Sequence, residues 1–421
     1  MLATQKRCAY LILADGSVYE GKGLGAEGTT IGEVVFTTGM TGYQETLTDP
    51  SYYGQIVTQT FPLVGNYGIN AVDVESGRIW MRGYIVREWC TSPSNFRSEI
   101  NLDDYLKDNG IIALAGIDTR ALTKKIREHG VMNGAITTEP PTTKEELGQL
   151  LTDIATYRIK DAVAAVTCQN KSAYNVKDSR LKVALLDFGY KRNILRSLTN
   201  RDCSVMVMPA HSTLADIEKQ GVDGIMLSNG PGDPAENTDI IANLKEILEK
   251  SDIPMLGICL GHQLTALAMG GSTHKLKYGH RGANQPVKDL EEGRVYVTTQ
   301  NHGYAVDGDS IAKDLGQVSH INVNDGSCEG ICYNRPRTFT VQFHPEASAG
   351  PEDTQYLFDR FVSNMEEYQA EKLAKTNTDV DMGIGATENQ RSSSEREQEA
   401  GEKEGREQEE RAQAGKEATY A

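Results

Sequence analysis

Short apolar runs that alternate with helix-forming stretches from residue 182 to residue 268 constrain this chain more than any other feature. Lys182-Val183-Ala184-Leu185-Leu186-Asp187-Phe188-Gly189 reads as a buried strand leading into a helical pattern at about 193–198. Further strands are expected at 205–208, 224–227 and 254–258, with a helix over about 238–250 between the last two. Strands separated by helices lie parallel and are joined by right-handed crossovers, so the spacing predicts a doubly wound, mostly parallel sheet with helices on both faces. In such α/β sheets, functional groups sit on loops beyond the carboxyl ends of the strands.

One such loop carries a cysteine. Gly257-Ile258-Cys259-Leu260-Gly261 follows the apolar strand, and His262 to Ala268 reads as a helix. Glycines two residues before and after Cys259 leave room for a sharp turn that points the thiol outward. Helix amides behind the sulfur favour a thiolate, and the amide of Leu260 is placed to stabilise an oxyanion, an effect worth about 3–4 kcal/mol per donor. A cysteine of ordinary packing is the competing reading. A thiol nucleophile needs a base, and His344 in Thr340-Val341-Gln342-Phe343-His344-Pro345-Glu346 supplies one. Proline keeps His344 extended, and alternate residues of an extended segment project to one side, so Glu346 can fix its tautomer. His262 and His302 are rival bases, but neither has a carboxylate two residues away on a strand.

The stretch from Cys8 to about Cys168 is rich in short strand-like pieces and glycine turns and reads as a mixed α/β unit. Asp15-Gly16 marks a hairpin, residues 118–126 form a helix that Gly130 can end, and a second helix is expected from Lys144 to about Ile154. Residues 169–178 lack periodicity and read as a linker, giving expected domains at 1–175 and 181–367 and a charged tail over 368–421. From Ala386 to Ala421 there is no Leu, Ile, Val, Phe or Trp, so this stretch is either disordered or a solvated charged helix with pairs such as Arg391 and Glu395. No catalytic role is expected for it, and deleting 386–421 should leave activity unchanged.

Composition narrows the functional classes. With 421 residues at 38% hydrophobic, the chain can build two or three cores. A net charge of -16 argues against a nucleic-acid partner, which would need a basic face. Seven scattered cysteines suit a reducing compartment, the cytosol, better than a disulfide framework. Lys6-Arg7 before the apolar run Cys8–Ala14 mimics an export signal, but the run is too short and lacks a cleavage site. No stretch approaches the roughly 20 apolar residues of a membrane span.

The motifs also carry a resemblance. Over about 181–367 the chain resembles the class I, triad-type glutamine amidotransferases, through Gly257-Ile258-Cys259-Leu260-Gly261-His262-Gln263 and His344-Pro345-Glu346. The resemblance implies a Cys259, His344 and Glu346 triad that needs no metal. Leu227-Ser228-Asn229-Gly230-Pro231-Gly232-Asp233-Pro234 looks like the family's oxyanion strand, with Gly230 and Gly232 facing glutamine. Read alone it is a plain turn, and it lacks the lysine and hydroxyl spacing of a P-loop. Asn301-His302-Gly303-Tyr304 is similar to the family's Asn-His-Gly-Phe segment, which implies a glutamine pocket of Asn301, Gly303 and Tyr304 with Leu260 and Gln263.

Phe36 to Glu45, Asp49-Pro50-Ser51-Tyr52, Pro62 to Gly68 and Gly116 to Thr123 resemble the amino-terminal domain of carbamoyl-phosphate synthase small subunits, extending the likeness to about 8–367. Gly39 stands where some members carry serine at the glutamine site, keeping a backbone contact without the hydroxyl. The resemblance implies a glutaminase that passes ammonia through a tunnel to a separate large subunit. That partner would use ATP, Mg and bicarbonate to make carbamoyl phosphate for arginine biosynthesis, pyrimidine biosynthesis or both. The first domain would dock it, and no cofactor is expected in this chain. A free-standing cysteine hydrolase of γ-glutamyl amides and a catalytically silent binding subunit are the alternatives. The amino-terminal domain argues against the first and the intact triad against the second.

Overall fold

Seven strands between Cys8 and Thr137 close into a barrel. The computed structural model describes residues 7–335 and 337–374; the charged stretch from Ala386 onward lies outside the described residues. The hairpin expected at Asp15-Gly16 joins Cys8–Leu13 to Val18–Gly25, and Gly16 takes the left-handed φ of 81° that favours glycine. Closure comes from Cys8–Leu13 pairing antiparallel with Met132–Thr137, while Thr29–Thr37, Gln55–Gln59, Gly83–Val86 and Ile112–Ala115 run parallel through the middle. Side chains from six of the strands, among them Leu11, Val34, Ile56, Ile85, Leu114 and Ile136, meet in one buried cluster, as alternation on a closed sheet requires. The expected helices are Thr119–His129, capped by Asp118 and ended at Gly130, and Lys144–Thr156, which opens on a Thr143–Glu146 capping box.

The second half is a ten-stranded sheet. Its core is five parallel strands in the order Cys203–Pro209, Leu181–Asp187, Gly224–Leu227, Met255–Ile258 and Thr338–Val341. Alternate residues feed opposite faces. Val183 and Leu185 pack with Ile194, Leu198, Phe358 and Phe361 on one side. Ala184 and Leu186 pack with Leu244, Ile247, Leu260 and Leu264 on the other. Helices therefore cover both faces, as the alternation predicts.

Two features lie beyond that expectation. Thr273–Asp289, Val295–Val306, Gly316–Asn322 and Cys328–Tyr333 form an antiparallel extension of the sheet, in which the first and third strands also pair. The segment read as a linker contains a short strand, Ser172–Tyr174, antiparallel to Cys203–Pro209. An edge position needs pairing on one side only, so no hydrophobic period announces it.

Contacts divide the chain into Met1–Met365 and Glu366–Ala421, with barrel and sheet both in the first unit. Within that unit Asp49 accepts from Asn301 (3.0 Å), Ser51 accepts from Asn229 (2.9 Å) and Glu75 accepts from the Asn193 amide (3.0 Å). The described part of the second unit, residues 366–374, is helical. All seven cysteines are free. No helix among the described residues is long and apolar enough to cross a membrane.

Candidate active site

Strand Met255–Ile258 ends at Cys259, and helix Leu260–Ala268 begins at the next residue. Cys259 has φ 53° and ψ -103°, a region that costs a residue with a Cβ and persists only when the surroundings enforce it. Three backbone bonds do so: Cys259 N–H to Val341 O (2.9 Å), Gly261 N–H to Ser228 O (3.0 Å) and Gln263 N–H to Cys259 O (3.1 Å). The flanking glycines are required by contact as well. A Cβ on Gly257 would lie 2.8 Å from Thr340 Cγ2, and one on Gly261 only 2.5 Å from the Leu227 carbonyl oxygen. The glycine-flanked turn inferred from the sequence is formed.

The parallel register that pairs Ile258 with Val341 brings the segment after Val341 alongside the turn. His344 is there, tied by its N–H to Thr299 O at 2.9 Å. Its Nδ1 lies 2.7 Å from Glu346 Oε1, and neither side chain is exposed. The contact expected along an extended segment is made instead around a turn, in which Ala347 N–H donates to His344 O at 3.3 Å. Burial works against a charged His344, yet Glu346 and Cys259 raise its pKa to about 9 in spite of the Lys191 ammonium nearby. Burial also opposes ionisation of Glu346, but Lys191 and His344 hold it down at about 2. Among the described residues His344 Nε2 makes no hydrogen bond, and the Cys259 thiol points at Asn301 O, 3.7 Å away. A polarised imidazole with a vacant nitrogen and a thiol on a strained turn are what nucleophilic acyl transfer needs.

The rival bases are otherwise engaged. Burial pushes His262 down to about 3, and its Nδ1 meets Thr340 Oγ1 at 2.8 Å. His302 is also pulled down by burial, with Nδ1 on Tyr304 O (2.7 Å) and Nε2 beside Gln300 Oε1 (3.0 Å).

Cys259 opens into a cavity of about 730 Å³ lined also by Gly230, Gly232, Gln263, Asn301, Gly303 and Tyr304. Barrel residues Glu33, Ser51 and Gln55 form part of its wall. Gly230 could not be replaced, since a Cβ there would sit 2.2 Å from Phe188 O. Gln263 and Asn301 brace this wall: Gln263 Nε2 donates to Tyr304 O (2.8 Å) and Gln342 Oε1 (3.0 Å), and Asn301 Nδ2 donates to Asp49. Leu260 sends its side chain into the core, leaving only its backbone at the turn. Gly39 lines a second cavity of about 70 Å³, together with Asp49, Lys191, Asn301 and Ala347.

Lys191, Asp49 and Glu75 complete the charged surroundings of the His344–Glu346 pair. Lys191 Nζ is 3.0 Å from both Glu346 Oε1 and His344 Nδ1. Since the Nδ1 proton faces the carboxylate, the ammonium donates to Glu346 and abuts the ring. Burial would discharge Lys191, but Glu346, Asp49 and Glu75 together raise its pKa. Glu75 also accepts from Ser348 Oγ at 3.1 Å. Lys191 follows the carboxyl end of the parallel strand Leu181–Asp187, a position where function is expected. Asp49 lay inside a recognised motif, and Glu75 sits in an irregular stretch that offers no signal.

A thiol at the carboxyl edge of a doubly wound sheet, facing a His–Glu pair, places the second half among the class I glutamine amidotransferases, and the family of that description matches residues 184–364. The family described as carbamoyl-phosphate synthase small chain, CPSase domain, matches residues 11–136. A carbamoyl phosphate synthase small chain from Bacillus cereus is 50% identical over 361 residues, covering 86% of this chain and 97% of that one. The one from Symbiobacterium thermophilum is 46% identical over 354 residues, covering 83% and 97%. Among solved structures, a glutamine amidotransferase from Thermotoga maritima is similar at 18% identity and a TM-score of 0.33, covering 47% of this chain and 85% of that one. The chain belongs to the carbamoyl phosphate synthase small chain family.

Proposed function

We propose that this chain is the glutamine-hydrolysing subunit of a carbamoyl-phosphate synthase, with Cys259 as nucleophile and His344 as acid and base. The observation that carries the reading is Cys259, on its strained turn and open to the larger cavity, interacting with His344 of the buried His344–Glu346 pair, whose contact is 2.7 Å. The thiolate of Cys259 attacks the side-chain amide carbonyl of glutamine, and the oxyanion is held by the Leu260 amide with those of Gly230 or Gly232. His344, held in register by Glu346, protonates the departing ammonia, leaving a thioester. Water activated by His344 then releases glutamate and restores the thiol. Asn301, Gly303 and Tyr304 shape the glutamine pocket. These steps draw on no metal or cofactor.

Ammonia escaping to water would be protonated and lost, so a sheltered path to a large partner subunit is part of the reading. That subunit supplies ATP, Mg and the ligase chemistry that joins ammonia to bicarbonate, and the barrel is its docking surface. The setting is the cytoplasm, and the product feeds arginine or pyrimidine synthesis. The test is Cys259→Ser in the enzyme reconstituted with its large subunit. Glutamine-driven synthesis should collapse while synthesis from added ammonia survives; persistence of both would remove Cys259 from the mechanism.

A further inference from the structure

Behind the glutamine pocket, on the antiparallel extension, lies a cluster that the proposed reaction does not use. His280 and His302 are register partners on Thr273–Asp289 and Val295–Val306, and their rings meet edge to face at 5.0 Å between centroids. Glu329, on Cys328–Tyr333, is completely buried against them. One nitrogen of each histidine and one Glu329 oxygen lie within 4.8 Å of one another.

The hydrogen bonds around this cluster assign its tautomers. His280 Nε2 is 2.9 Å from Asp325 Oδ2 and holds a proton there, while Nδ1 faces Glu329 Oε1 at 3.5 Å and would release any proton it carries to an incoming ion. His302 Nδ1 is 2.7 Å from the Tyr304 carbonyl, which puts its proton there and its lone pair on Nε2. These inner nitrogens face Glu329 and Gln300. Among the described residues His280 Nδ1 and Glu329 Oε2 make no hydrogen bond, and Glu329 is completely buried, a costly arrangement for a polar atom. A histidine whose outer N–H is held by a carboxylate or a backbone carbonyl while its inner nitrogen is vacant has the usual outer-shell arrangement of a metal ligand.

The spacing fits as well. Ligands about 2.0–2.2 Å from a tetrahedral ion stand roughly 3.3–3.5 Å apart. His280 Nδ1 is 3.5 Å from Glu329 Oε1, the separation of two such ligands, while His302 Nε2 and Gln300 Oε1, now hydrogen-bonded at 3.0 Å, would move apart by a few tenths of an ångström on binding. We propose that His280, His302 and Glu329, with the Gln300 side-chain oxygen as fourth ligand, bind a divalent ion of the zinc class. Two imidazoles and one carboxylate favour such an ion over Mg²⁺ or Ca²⁺, which prefer all-oxygen sites. No spacing motif announces the cluster, because strand register assembles it from three strands. Its position makes it a brace: His302 adjoins Asn301, whose carbonyl meets the Cys259 thiol, so an ion here fixes one wall of the glutamine pocket.

The test is metal binding without turnover, so its outcome is independent of the proposed glutaminase reaction. The full chain carrying Cys259→Ser, which removes the reactive thiol as a competing ligand, is stripped with chelator and titrated with Zn²⁺ in a calorimeter. One tight ion per chain is expected, lost in Glu329→Gln and in His280→Gln and weakened about 10- to 100-fold in Asp325→Asn, the outer-shell change. Co²⁺ in the otherwise unaltered chain should show visible bands of a four-coordinate nitrogen and oxygen site with no thiolate charge-transfer band. That second reading keeps the proposal falsifiable should either ligand variant fail to fold. Absence of binding, binding that survives both ligand variants, or a thiolate band would each overturn it.

Discussion

Replacing Glu346 with glutamine keeps the shape of the side chain and removes its charge. In the native chain that carboxylate takes the Nδ1 proton of His344 at 2.7 Å and the ammonium of Lys191 at 3.0 Å, all three groups being buried. Its pKa is held at about 2 against an ordinary 4.5, and a gap of that size corresponds to about 3 kcal/mol of folding free energy. Breaking a buried ion pair costs a similar amount, about 3–5 kcal/mol. The direction with pH follows from the two shifts. The lowered Glu346 pKa contributes stability that is present above about 4.5 and lost as pH falls toward about 2. The raised His344 pKa contributes stability that is present below about 6.5 and lost as pH rises through about 9. The difference in thermal midpoint between wild type and Glu346→Gln should therefore be widest near pH 5–6 and narrow on both sides.

Activity should fall about 100- to 10,000-fold, the range spanned by losing an oriented base. The alkaline limb of kcat/KM should move to lower pH, because Glu346 is the strongest influence raising His344. Glutaminase assays and calorimetric melting from pH 3 to pH 10 read all of these. Should Glu346→Gln keep kcat/KM within about threefold of wild type with its alkaline limb unmoved, Glu346 does not orient His344.

Lys191→Met should move the same limb the other way, since Lys191 lowers the His344 pKa, and should also destabilise the chain because Asp49, Glu75 and Glu346 lose their shared cation. A pH–rate profile with a limb moved downward would refute that role. Gly261→Ala sets a Cβ 2.5 Å from the Leu227 carbonyl oxygen, so a loss of about 1–3 kcal/mol on denaturant unfolding and a larger fall in kcat than in stability are expected. Asp49→Ala leaves the buried Asn301 amide without its acceptor. An unmet buried donor costs about 1–3 kcal/mol, so KM for glutamine should rise about 5- to 150-fold in steady-state kinetics.

The sequence discloses the parallel core and the cysteine turn because both rest on local signals. Buried strands such as Leu181–Asp187 are nearly continuous apolar runs, and the turn needs glycine at 257 and 261. Barrel closure could not be read, because it depends on Cys8–Leu13 finding Met132–Thr137 across most of the domain. Thr273–Asp289 escaped notice for another reason. Its register shifts between Lys275 and His280 and between Gly282 and Gln285 break the two-residue period that marks a strand. Lys191 is the instructive omission at the site: a lone lysine reads as surface, and only the packing of three carboxylates around it explains its burial.

The hydrogen bonds from Asn301 to Asp49 and from Asn229 to Ser51, with Glu75 gripping both the Asn193 amide and Ser348, bear on ancestry. The pocket is finished by a neighbouring lobe that carries none of its reacting groups. A lineage could not exchange that lobe for a foreign one and keep the pocket unless a carboxylate at 49, a hydroxyl at 51 and a carboxylate at 75 came with it. The two lobes have to be inherited as a matched set, and drift at any of these three positions should be answered by change at its partner.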